Sequence, residues 1–138
     1  MILQQTQKTS QYFRKILHWI FIVLWMGIIF YFSNQPDLKS SLPNDWDFIF
    51  RKIAHISEFA VLNFLLIKTF SHYKISFKNI LIISFSMSFL YAVLDEYHQN
   101  FVLGRHGSVK DILIDSLGIM IVTIFYPRKN TRINLRPR

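Results

Sequence analysis

Three groups of ionisable residues interrupt an otherwise apolar chain, and their spacing places each group on one face of a helix. Lys52, His55 and Glu58 step by three. At about 100° per residue, His55 lies roughly 60° from each neighbour, so the three share a face. Asp95 and Glu96 stand four and three residues before Gln99, and Asp111 stands four before Asp115, with Ser108 and Gly118 on the same stripe. A histidine beside carboxylates is the usual set for general acid–base catalysis. On that ground His55, Glu58, Asp95, Glu96 and Asp111 are the candidate catalytic residues. Lys52 and Arg105 are the candidate binders of an anion such as a phosphate, which arginine can grip through two nitrogens. Gln99, Ser108 and Asp115 join them as candidate substrate contacts. His55, Glu58, Asp95 and Glu96 also have the donor types that suit a divalent cation as cofactor, although no HExxH signature supports it. Phosphate loops, serine elbows and dinucleotide glycine patterns are absent. The chain has no cysteine, which excludes thiol nucleophiles, thiolate metal sites and disulfides.

The same residues have a plainer use. Membrane bundles employ polar side chains as glue, and Lys52–Glu58, Lys52–Asp95 or Arg105–Asp111 are candidate structural pairs. Burying the whole cluster for stability alone is inefficient, because each charge is costly to desolvate. Of the other histidines, His18 is expected to be structural and His72 and His106 to be exposed, while His98 fits either the site or solvent.

Four apolar runs hold these groups. They predict an all-α membrane protein, a bundle of four transmembrane helices at about 16–32, 48–70, 78–99 and 109–126. The first run is broken only by His18, Gly27 and aromatic residues, and Ser33-Asn34-Gln35-Pro36-Asp37 ends it. Bulky Phe30-Tyr31-Phe32 stands where signal cleavage needs small side chains, so an uncleaved helix is expected. Asn44 or Asp45 is placed to cap the second helix and Ser76 the third. The third and fourth runs reach spanning length only if Asp95, Asp111 and Asp115 lie at or within the interface.

The composition agrees. Of 138 residues, 51% are hydrophobic and 17% aromatic, more apolar bulk than a soluble domain of this size can bury. Residues 1–138 read as a single domain, with polar or basic tails at 1–15 and 127–138. The net charge is +8, but no recognition motif accompanies it, and no nucleic-acid partner is expected. The charges are placed as the positive-inside rule places them. Eleven basic residues lie in the N-terminal segment, the connector between the second and third runs and the C-terminal tail, against five on the other side. Both termini are therefore expected in the cytoplasm, and the site faces outward.

Lys52-x-x-His55-x-x-Glu58, Asp95-Glu96-x-x-Gln99 and Gly104-Arg105-x-Gly107-x-x-x-Asp111-x-x-x-Asp115-x-x-Gly118 together closely resemble the VanZ-like family. Phe32-Ser33-x-Gln35 is also similar to that family's pattern and adds Ser33 and Gln35 to the substrate-binding candidates. The likeness runs from about residue 16 to 126 and departs at Leu103, where the family often has proline. It implies a small multi-pass protein of the bacterial cytoplasmic membrane, in a family whose namesake is linked to resistance to the glycopeptide teicoplanin. The family sets the fold and the setting, and the mechanism must come from the site. The leading expectation is hydrolysis or other modification of an amphiphilic envelope lipid. The alternatives are binding or shielding of a cell-wall lipid precursor or a lipophilic antibiotic, and, less favoured, transport or flipping, for which inverted repeats are absent. An oligomer is compatible with all three.

Overall fold

The computed structural model describes residues 2–36 and 44–127, and every regular element among them is helical. The order is α1 (Ile2–Ser33), α2 (Asn44–Phe70), α3 (Phe77–Gln99) and α4 (Val109–Phe125). The last three match the expected runs closely, although α2 begins at Asn44 rather than near residue 48. α1 differs more. Residues 2–15, expected as a tail, continue the helix without a break. No Gly or Pro interrupts them, and their Gln, Lys and Arg residues favour helix. The expected cap from Asn44 or Asp45, and the basic residues from Arg128 onward, lie outside the described side chains.

The ends have local causes. Asn34 N–H still bonds the Phe30 carbonyl at 2.9 Å, and Pro36 then prevents continuation. Ser76 caps α3, accepting from the Asn79 N–H at 3.3 Å, and Ser108 caps α4, accepting from the Lys110 N–H at 3.1 Å. Between α3 and α4 the chain reverses through Gly104, whose φ of 79° is the left-handed region that glycine enters without strain.

Three of the four helices, Gln5–Ser33 of α1, Ile49–Phe70 of α2 and all of α3, are long and apolar enough to cross a membrane. α4 has 17 residues, which at 1.5 Å rise gives roughly 25 Å. Large apolar side chains such as Val23, Leu90, Leu113 and Ile124 face outward. Such a surface is stable against lipid rather than water.

The helices alternate in direction. Ser33 at the end of α1 bonds Asp95 near the end of α3, and Lys52 near the start of α2 pairs with Asp111 at the start of α4. The Ser108 N–H, just before α4, bonds Glu96 of α3 at 2.9 Å and joins the two pairs into one end of the bundle. The α2–α3 connector closes the other end, where the Trp19 indole donates to Tyr73 Oη at 3.0 Å. His18 and His72 meet there. From residue 18 to residue 33, α1 rises roughly 24 Å, so the residues before it extend past the connector as a helical arm.

The core is built from Ile22 and Ile29 of α1, Phe59, Leu62 and Leu66 of α2, Ala92 of α3 and Ile119 of α4. α2 and α4 pack most extensively. Gly118 permits this, because a Cβ there would lie 2.0 Å from the Ile56 carbonyl oxygen. Asn63 fastens the pair deeper in, donating to the Ile119 carbonyl at 2.9 Å and to Thr123 Oγ1 at 2.8 Å.

Candidate functional site

All four helices contribute to the polar end, in three layers. The first joins α1 to α3. Ser33 donates to Asp95 Oδ2 at 2.7 Å, and Gln99 donates to Ser33 Oγ at 2.8 Å and to Asp95 Oδ2 at 3.1 Å. All three side chains are buried, so this layer is a closed hydrogen-bonded lock that fixes α1 against α3.

The second layer folds the Gly104–Ser108 loop back onto the bundle. Glu96 takes the Ser108 N–H, and Asn100 Oδ1 takes the Gly107 N–H at 3.1 Å. Gly107 lies so close to α3 that a Cβ would sit 1.9 Å from the Glu96 carbonyl oxygen. Arg105 reaches across to the end of α1, where Nε donates to the Gln35 carbonyl at 2.9 Å and Nη2 to the Phe32 carbonyl at 3.0 Å. A helix end carries unpaired carbonyls and partial negative charge, which a cation satisfies. Burial lowers the pKa of Arg105, opposed by the charge of Asp95, and the guanidinium stays charged.

The third layer lies between α2 and α4. Lys52 and Asp111 form a half-buried ion pair. One turn deeper, His55 Nδ1 stands 3.7 Å from Glu58 Oε2 and 4.0 Å from Asp115 Oδ1. Both distances are too long for a hydrogen bond. His55 Nδ1, Glu58 Oε2 and Asp115 Oδ2 are buried without a hydrogen-bond partner among the described residues, and Asp115 is only 1% exposed. Glu58 is held from behind, its carbonyl accepting from the Trp25 indole at 2.9 Å.

A cleft of about 220 Å³ opens over these layers, lined by Lys52, His55, Glu96, Gln99, Arg105, Asp111 and Asp115 of the expected set, and also by Arg51, Gly104 and His106. The other expected residues are placed elsewhere. Ser33 and Asp95 form the lock, Glu58 stands behind His55, and Ser108 caps α4. Gln35 enters through its carbonyl, while its side chain turns back to Tyr31. The expected pairs Lys52–Glu58, Lys52–Asp95 and Arg105–Asp111 are replaced by Lys52–Asp111 and by the contacts of Arg105 with α1. Among the described residues, no three of His, Asp or Glu are placed to hold a metal ion, and the four donors named for a divalent cation are divided between layers. His98 leaves the site, stacking on Phe30 at 4.6 Å and bonding Asn34 at 3.3 Å. Arg51, beside Lys52, and Asn100, one residue after Gln99, were not singled out by helical spacing. Each immediately follows or precedes a residue that was, which is the signal that could have found them.

Fold and cleft together define a multi-helix integral membrane protein with a polar cleft at one end. The sequence model of the family described as VanZ/LLP1 matches residues 18–130. The chain belongs to that family. No curated protein and no solved structure matches it.

Proposed function

We propose that the cleft receives the polar headgroup of an amphiphilic lipid of the bacterial envelope and performs acid–base chemistry on it. The observation that carries this reading is the unpartnered trio of His55 Nδ1, Glu58 Oε2 and Asp115 Oδ2 beside the cleft. Buried polar atoms without partners cost free energy, and a membrane bundle gains nothing from keeping three together unless a ligand uses them. His55 or Glu58 moves the proton, and Arg51, Lys52 and Arg105 give the entrance its positive charge. The distribution of basic residues supports both termini in the cytoplasm and the cleft on the outer face of the cytoplasmic membrane. The outward apolar side chains of α4 support a fourth crossing, shortened where its polar start enters the interface. Mass spectrometry of envelope lipids from cells expressing the chain, H55A and E58Q is the test. A lipid change produced by the native chain and lost in both variants is expected, and identical lipid profiles in all three overturn the reading.

One observation favours a second reading, binding or shielding without chemistry. Lys52 and Arg105, the residues expected to grip an anion, are already engaged by Asp111 and α1. Shielding a lipid precursor against a teicoplanin-type antibiotic needs only such a rigid receptor. Resistance that survives in H55A and E58Q would support it.

A further inference from the structure

The three unpartnered atoms of this layer are of one kind. Glu58 Oε2 and Asp115 Oδ2 are carboxylate oxygens, which only accept when ionised, and His55 Nδ1 accepts when its proton is on Nε2. His55 of α2 and Asp115 of α4 line the cleft with Glu58 behind His55, and His55 Nδ1 lies 3.7 Å from Glu58 Oε2 and 4.0 Å from the other oxygen of the Asp115 carboxylate. A metal ion is a poor match, because no three such donors are placed to hold one among the described residues. A water has two hydrogens for three acceptors. A primary ammonium has three N–H donors and a positive charge, which fits the number, type and charge of the atoms left open.

The entrance has the opposite character. Arg51, Lys52 and Arg105 line it, with His106 exposed beside them, while the floor residue Asp115 is almost wholly buried. At about 220 Å³ the cleft is larger than one water's share of roughly 30 Å³. It is smaller than the pockets of roughly 300–1,000 Å³ that take whole drug-sized ligands. Close in sequence to the lining residues Glu96, Gln99 and Gly104, Leu103 is 88% exposed, Phe101 71% and Tyr97 64%, side chains of the kind that sit among lipid tails and headgroups.

We infer that the ligand is a zwitterionic lipid headgroup, with a primary ammonium donating to His55, Glu58 and Asp115 and a phosphate at the cationic entrance. This rests on the headgroup reading above and gives the headgroup's chemistry.

Phosphatidylcholine has the same charges without N–H donors, and phosphatidylglycerol lacks the ammonium. Native mass spectrometry of the detergent-purified full chain, offered equal amounts of phosphatidylethanolamine, phosphatidylcholine and phosphatidylglycerol with identical acyl chains, decides the matter. Retention of phosphatidylethanolamine at least about tenfold above either competitor is expected, the scale of one charged hydrogen bond. E58Q and D115N should lose that preference while keeping the native circular dichroism. Equal retention of the ethanolamine and choline lipids, as with a water at the floor, overturns the inference. So does a preference that persists in both folded variants, or binding abolished by a chelator. If a variant does not fold, the comparison of lipids on the native chain decides alone. A clear preference with no lipid change in cells removes only the acid–base step, and a lipid change without the preference removes only the ammonium.

Discussion

The two ends of the bundle solve the same problem in opposite ways. Both bring polar side chains from several helices together at an edge of the apolar region. At the connector end each imidazole nitrogen whose contact is described faces a partner. His18 Nδ1 bonds the Arg14 carbonyl at 2.7 Å, His18 and His72 face each other through Nε2 at 3.4 Å, and the Trp19 indole meets Tyr73. Lys15 lies over the Tyr73 ring at 4.6 Å, a cation–π contact. At the motif end two layers are closed in the same manner, but the third leaves His55, Glu58 and Asp115 short of hydrogen-bond contact. A satisfied network holds helices together, whereas an unsatisfied one persists at a cost in stability. The connector end is a joint, and the motif end is a joint built around an opening.

The contrast can be broken most severely at Gly118. Introducing Leu there forces α2 from α4, and a loss of about 3 kcal/mol or failure to fold is expected in denaturant titration. Gly27, where an added Cβ meets nothing within 4 Å, should accept Ala with no loss. Next in size is the Lys52–Asp111 pair. K52M leaves a half-buried carboxylate unpaired and should cost about 2 kcal/mol. Adding D111L should recover most of it, and a double-mutant cycle without coupling would show that the pair is not a unit.

The open trio gives the change of opposite sign. E58M removes a half-buried carboxylate whose Oε2 has no hydrogen-bond partner among the described residues, and should raise stability by about 1 kcal/mol while abolishing ligand binding. A loss of stability would make the motif end as structural as the connector end. W19F at the connector end should cost about 1 kcal/mol, one hydrogen bond, and leave the cleft's ligand binding unchanged.

The smallest effect is that of pH. Burial lowers the His72 pKa from 6.5, followed in order by the positive charges of His18, Arg14, Lys15 and Lys68. The unfolded chain then binds the proton more readily than the folded one. The contribution is intact above 6.5 and fades as pH falls through the lowered folded value. H72Q should flatten that part of the stability curve, and an unchanged slope would remove His72 as its source.

The sequence also marked His72 as exposed. Its half-burial depends on the rotation of α1, which no pattern within residues 68–78 encodes. The same division runs through the site. Steps of three and four put Lys52, His55 and Glu58 on one face and Asp111 and Asp115 on another, because helical geometry is local. Gly118 was legible on the Asp111–Asp115 stripe for the same reason. The α1 arm was not, because polar residues without a breaker read equally as tail and as helix.

What the chain determined by itself was therefore a set of apolar helices, the faces on which their charges lie and the family to which the combined motif belongs. Only the tertiary structure decided that Lys52 meets Asp111, that Arg105 closes the end of α1, and that Ser33, Asp95 and Gln99 form a lock of which only Gln99 also lines the cleft. It alone left His55, Glu58 and Asp115 facing one another without bonds. The reason is physical: residue spacing fixes direction around one helix axis, whereas partners across the bundle depend on the relative height and rotation of neighbouring helices, which packing at contacts such as Gly118–Ile56 sets.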